Sequence, residues 1–138
     1  MAAADPPPGF VSAAFSPGFL DRGGPYWLNR GEPGTVVGLR IDEGHLNYQD
    51  AAHGGVLTTL ADVALSYAIH LSETPAPGLA TATLTVNFLG AARLGEWLEA
   101  EARIDRIGKR LAYTSGTIRR DGEAIATMTG VFSVIRRS

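Results

Sequence analysis

The segment Asn47–Leu71, NYQDAAHGGVLTTLADVALSYAIHL, decides how the rest of the chain must be arranged. From Val56 to Leu71 it is apolar almost all the way round, which marks a helix enclosed by other structure rather than laid on a surface. The run contains Asp62 and His70 and is shorter than the ~20 residues a bilayer span requires, so it reads as a core helix. It opens on Gly54-Gly55, two residues with no side chain to keep a ligand from the backbone N–H groups of a first helical turn. One acid, Asp62, lies two turns further on.

On both sides of this helix the hydrophobic period is two. After the break at Thr74-Pro75-Ala76-Pro77-Gly78, the stretch Leu79–Leu89 sets Ala80, Ala82, Leu84, Val86 and Phe88 on one face, with Thr81, Thr83, Thr85 and Asn87 on the other. Glu96–Ile107 alternates again, with Leu98, Ala100, Ala102 and Ile104 opposite a charged face. Gly108-Lys109 turns the chain into Arg110–Arg119, and Asp121-Gly122 makes a tight hairpin into Glu123–Ile135, so the last three strands form a meander. Ahead of the helix, Tyr26–Asn29 and Thr35–Asp42 predict a first hairpin, followed by a turn at Glu43-Gly44. Met1–Pro8, with three consecutive prolines, predicts a mobile tail, and Phe10–Leu20 allows one turn of helix before Pro17. The expected organisation is a flexible segment over 1–22 and a single domain over 23–138. It is an α+β fold in which one antiparallel sheet wraps one long helix. Such a sheet leaves a long edge unpaired, so a homodimer joined through sheet edges is expected.

Composition narrows the function classes. A chain of 138 residues with 45% hydrophobic and 19% charged residues can bury its own core, and a net charge of -2 gives no electrostatic basis for binding nucleic acid. Without cysteine there is no disulfide or thiolate chemistry, and MAAADPPPGF lacks the basic start and apolar run of a signal peptide. A cytoplasmic protein with no membrane partner is expected. His45 and His70 have no partner at metal-ligand spacing and the chain holds no H-E-x-x-H or Cys/His cluster, so no metal or other cofactor is expected either.

The motif Asn47-x5-His53-Gly54-Gly55, followed by Leu60-Ala61-Asp62 and by a strand ending Val86-Asn87-Phe88-Leu89, resembles the hotdog-fold acyl-CoA thioesterases. The branch it is similar to contains the phenylacetate-degradation and hydroxybenzoyl-CoA enzymes, with the pattern N-x-x-G-x-x-HGG-x6-D. The resemblance covers about Tyr26–Ile135 and departs at Asp50, where that branch commonly has glycine. It implies hydrolysis of an acyl-CoA thioester, coenzyme A being part of the substrate. It also implies an active site in which the acid serves the HGG turn across a dimer interface, and a tetramer built as a dimer of dimers.

Thioester hydrolysis needs a polarised carbonyl and an activated water or a carboxylate nucleophile, because charge develops on the carbonyl oxygen. Backbone N–H groups at Gly54 or Gly55 suit the first task, although two glycines also permit a tight loop-to-helix turn. Asp62 suits the second as general base or nucleophile; bonding a neighbouring strand is its plainer role. Asn47 fits either orientation of water or thioester, or an Asx turn; His53 either shapes the turn or acts as a base. Thr81 or Thr83 could hold the water, or be ordinary strand residues. Arg103, Arg106, Lys109 and Arg110 around Gly108 suit the phosphates of coenzyme A as well as they suit a solvated hairpin tip. Leu57, Tyr67, Val86 and Phe88 are the candidate acyl-pocket residues. The rival function is a non-catalytic acyl-CoA-binding or regulatory protein of the same fold.

Overall fold

In the computed structural model, which describes residues 6–31 and 34–136, the order is β1 (Val11–Ala13), α1 (Phe19–Gly23), β2 (Tyr26–Asn29), β3 (Val36–Arg40), a 3-10 turn (Glu43–His45), α2 (Gly54–His70), β4 (Gly78–Phe88), β5 (Trp97–Ile107), β6 (Leu111–Arg120) and β7 (Glu123–Ile135). All seven strands join one antiparallel sheet in the order β1-β2-β3-β5-β6-β7-β4. This is the expected α+β arrangement of one sheet curled around one long helix. The β2–β3 hairpin and the meander of β5, β6 and β7 form as their alternation predicts.

Leu57, Leu60, Ala61, Val63, Ala64, Leu65 and Ile69 of α2 are buried in one core with Leu39, Leu98, Ala100, Ile118, Met128 and Phe132 of the sheet. Each large apolar side chain fully buried in this way contributes about 1.5–3 kcal/mol. The helix is not enclosed on every side, however. Gly55, Thr59, Asp62 and Ser66, spaced four, three and four residues apart, form a stripe that faces out of the core. Apolar composition hides this stripe because its members are small and Ala68 and Tyr67 flank it.

Two further differences from the sequence expectation bear on the site. The alternation over Leu79–Leu89 is interrupted: Thr81 pairs with Phe132 but Thr83 pairs with Val131, which leaves Ala82 as a bulge. A bulge inserts one residue and so exchanges the faces on either side of it. Leu79 and Thr81, rather than Ala80 and Ala82, therefore share the helix side with Leu84, Val86 and Phe88, while Thr83 joins Thr85 and Asn87 on the outer face.

The second difference is at the N-terminal end. Val11–Ala13 lies extended against Leu28, Trp27 and Tyr26, and the helical turn comes after Pro17, not before it. Edge-strand pairing satisfies backbone groups there that an isolated helical turn would leave to water. Phe15 anchors this segment edge-on to Tyr26 and Tyr67, with ring centroids 5.9 and 4.8 Å away. The tail expected over Met1–Pro8 falls mostly outside the described residues.

Gly116 sits on β6 between Ala102 of β5 and Met128 of β7. A Cβ there would clash with the Glu101 carbonyl oxygen and stand 2.8 Å from Met128 Cε. Gly116→Ala should therefore force β5 and β6 apart and cost about 2–3 kcal/mol. Thermal unfolding followed by circular dichroism should register this as a loss of roughly 10 °C in Tm.

Candidate active site

The loop before α2 is built from backbone bonds and two histidines. The Asn47 N–H donates to the Ala51 carbonyl at 2.7 Å, and the Asn47 side chain closes an Asx turn, its Oδ1 accepting from Gln49 N at 2.8 Å and Ala51 N at 3.1 Å. That leaves the side-chain NH2 of Asn47 without a partner among the described residues. Asp50, where the related pattern has glycine, adopts φ 60. The preference for glycine thus has a conformational origin, and aspartate is among the few residues that tolerate the left-handed region. Asp50 is exposed and preserves the turn. His45 is buried: its Nδ1 accepts from Asp42 N at 2.9 Å and its Nε2 donates to the Gly23 carbonyl at 2.6 Å. Its own carbonyl accepts from His53 N at 2.8 Å, so one side chain and one peptide tie α1 to the start of α2.

His53 is the N-cap of α2, and its Nδ1 accepts from Gly55 N at 2.9 Å. The two glycines are thereby separated in role. The Gly55 N–H is taken by the cap, and Val56 N and Leu57 N both donate to the His53 carbonyl. The Gly54 N–H has no hydrogen bond among the described residues, at the end of a helix whose dipole favours negative charge. No strain or clash explains the glycine at 54. Its φ is not in the left-handed region, and a Cβ would meet Phe88 Cζ at 3.6 Å, an ordinary contact. The missing side chain leaves its N–H open to approach from outside the chain.

Two turns along, Asp62 is half-buried on the outward stripe of α2, and its Oδ1 accepts from Thr81 Oγ1 at 2.7 Å. The bulge at Ala82 is what turns Thr81 inward to make this bond. Thr83, on the outer face, takes no part in the site within this chain. One residue that motif spacing did not single out is Ser66, one turn beyond Asp62, whose hydroxyl donates to the Asp62 carbonyl at 2.8 Å. Its signal was the four-residue step from Asp62 on the same helical face. Asp62, Ser66 and Thr81 border an open cleft of about 720 Å³ between α2, β4 and the segment around Phe15. Of the expected acyl-pocket residues, Tyr67 lines this cleft, Leu57 is buried in the core, and Val86 and Phe88 lie further along β4.

The basic residues near Gly108 gather at the opposite end of the molecule from Gly54, beyond the C-terminus of α2. Arg103 lies 3.5 Å from Asp105, whereas the exposed Arg106, Lys109 and Arg110 side chains make no ion pair among the described residues. Arg136, which the sequence reading passed over, braces the turn by donating to the Gly108 and Lys109 carbonyls at 3.2 and 3.0 Å. It also grips the Glu73 carboxylate at 2.8 and 2.7 Å. These hydrogen bonds hold the Glu73 carboxyl below its usual range, with partial desolvation opposing and the opposite charge adding. A lowered carboxyl stabilises the fold above the ordinary carboxylate range, and that contribution is lost as the pH falls through the lowered value.

Comparison with known proteins gives one consistent picture. A family model described as the thioesterase superfamily matches residues 49–127. A candidate esterase of Pseudomonas aeruginosa is 41% identical over 127 residues, which is 91% of this chain and 95% of that protein. Human acyl-coenzyme A thioesterase 13 is 33% identical over 84 residues, 60% of this chain and 59% of the human protein. A Bacillus halodurans protein crystallised with CoA superposes with a TM-score of 0.73 at 27% identity, covering 80% of this chain and 74% of that one.

The cap assignment is open to a direct test. His53→Ala should leave the Gly55 N–H uncapped and lower stability by about 1 kcal/mol, read as a shifted urea midpoint. His53→Ser, which retains an acceptor, should recover most of the loss.

Proposed function

The chain belongs to the thioesterase superfamily, and from that premise we propose that it hydrolyses the thioester of an aryl- or short- to medium-chain acyl-CoA, at sites shared between two copies of the chain. The observation that carries this reading is the placement of its two reactive features on one helix. The unbonded Gly54 N–H and the Asp62 carboxylate are eight residues apart, about 12 Å along the axis. A donor to the carbonyl oxygen and a base or nucleophile at the carbonyl carbon must both act within about 3–3.5 Å of one thioester. One chain cannot bring them together.

Two chains can. Along the outermost strand β4, Phe88 lies beside Gly54, and Thr81 is bonded to Asp62. Pairing of β4 with a second β4 about a two-fold axis near the strand's middle exchanges these ends, so that Asp62 and Thr81 of one copy meet Gly54 of the other. The same pairing removes the unpaired ladder of β4 and covers Phe88 and Leu89, which are 53% and 62% exposed. It also covers the stripe of small residues on α2.

Within such a site the Gly54 N–H donates to the thioester oxygen and stabilises the charge that grows there during attack. Asp62, with one oxygen held by Thr81, uses the other to take a proton from water or to attack the carbonyl itself. Either route expels the coenzyme A thiolate. The free NH2 of Asn47, on the loop leading to Gly54, is available to orient the water or the thioester, with His53 and Gly55 supporting the turn. Arg106, Lys109 and Arg110 are the exposed cations suited to the phosphates of coenzyme A, with Arg103 beside them; Arg pairs bidentately with phosphate.

The reading predicts release of free thiol from a panel of acyl-CoA esters. Absence of turnover above background across aryl, short and medium acyl groups would sink it, and tight binding without turnover would make the protein an acyl-CoA binder. Asp62→Asn should lower kcat by at least ~100-fold with an unchanged melting curve. The shared site has its own test. Asp62→Asn and Gly54→Val chains, each inactive alone, should regain about a quarter of wild-type activity when refolded together in equal amounts, since only mixed dimers then hold one intact site. No recovery in verified mixed dimers would place the whole site within one chain. Sedimentation would separate a dimer from a dimer of dimers.

A further inference from the structure

The cleft beside Asp62 has a roof that the thioesterase motif does not supply. Its floor and inner wall come from Phe132, Leu79 and Tyr67 of the domain core, but its outer side is the N-terminal segment, where Phe15 closes over Tyr67 at 4.8 Å with the rings 73° apart. Tyr67 in turn stacks on His70 at 5.1 Å and 16°. The segment contributes three paired residues to an edge strand and is anchored beside them by ring contacts of Phe10 with Trp97 and of Phe15 with Tyr26 and Tyr67.

We propose that this cleft receives the acyl group and that Phe15, through the N-terminal roof, determines which acyl groups are accepted. The inference rests on the thioesterase reading above and goes beyond it in naming the selecting element. Asp62 and Thr81 stand at the rim, so an acyl group leaving the carbonyl carbon on the side of Asp62 enters this cleft directly. A second cleft, beside His53 and Gly55, is lined by neither Asp62 nor Thr81 of the same chain and opens on the Gly54 side of the shared site. Rings on the roof and wall meet a compact, ring-bearing acyl group by edge and face contacts. A long linear chain gains no such contacts and meets Phe15 where it would have to pass out beneath the roof. Because the Asp62–Thr81 hydrogen bond does not involve Phe15, a change there alters acceptance without altering the reacting groups.

The test compares kcat/KM for benzoyl-CoA, acetyl-CoA and palmitoyl-CoA. Wild-type protein should prefer benzoyl-CoA to palmitoyl-CoA, and Phe15→Ala should lower that ratio by ~10-fold or more as the roof opens. Ala13→Phe, which fills the cleft from the face of the edge strand that carries the core contacts, should instead lower the benzoyl to acetyl ratio by ~10-fold. If Phe15→Ala does not fold, Phe15→Leu takes its place, with the benzoyl to palmitoyl ratio expected to fall in the same direction. Turnover by wild-type protein with both ratios unchanged in the variants overturns the roof assignment and leaves the thioesterase reading standing. No turnover of any ester by wild-type protein overturns both.

Discussion

The packing of α2 into the curl of the sheet is the contact on which the rest of the structure depends. Seven side chains of that helix are buried in a core shared with β3, β5, β6, β7 and β4. This single arrangement fixes three things at once. It sets the N-terminus of the helix beside the end of β4 and Asp62 beside its beginning. It also leaves the small-residue stripe outward, where one chain has nothing to cover it. A helix this apolar needs cover on nearly all sides, and the domain alone supplies cover on all but one.

The chemistry follows from that incompleteness. A carboxylate on an otherwise buried helix is costly to enclose without a partner. Thr81 provides one hydrogen bond, which the bulge at Ala82 makes possible. The remaining oxygen makes no hydrogen bond among the described residues, at the edge of the open cleft, which suits the base or nucleophile role proposed for it. At the other end of the helix His53 consumes one backbone donor and spares the next, which singles out Gly54. The two adjacent glycines are thus distinguished by the histidine that caps the helix.

A second theme is how much of the site is supported from the N-terminal side. His45 joins Gly23 to the loop before α2, and Phe15 joins the first strand to Tyr67. Residues before Tyr26, outside the region of resemblance, therefore help to hold the loop and form one side of the cleft. The left-handed turn at Asp50 belongs to the same support: the backbone path of the motif survives the loss of its usual glycine because aspartate can follow it.

The sequence by itself determined the parts governed by short-range rules. The change of hydrophobic period from helical to two, the Asp121-Gly122 turn and the proline break after α2 identify one helix and most of the strands. The HGG-to-Asp62 spacing points to the thioesterase superfamily, to which the chain belongs. Only the tertiary structure decided that β4 lies at the outer edge and β1 at the other, because strand order depends on contacts between residues far apart in the chain. It alone exposed the bulge that exchanges Ala82 for Thr81, since Ala80, Ala82 and Leu84 alternate correctly as a string and only pairing with β7 shows that one of them is skipped. The capping role of His53 and the roof over Asp62 were illegible for a related reason. A histidine beside two glycines reads alike whether it caps or catalyses, and Phe15 meets Tyr67 only after the sheet has brought the two segments together.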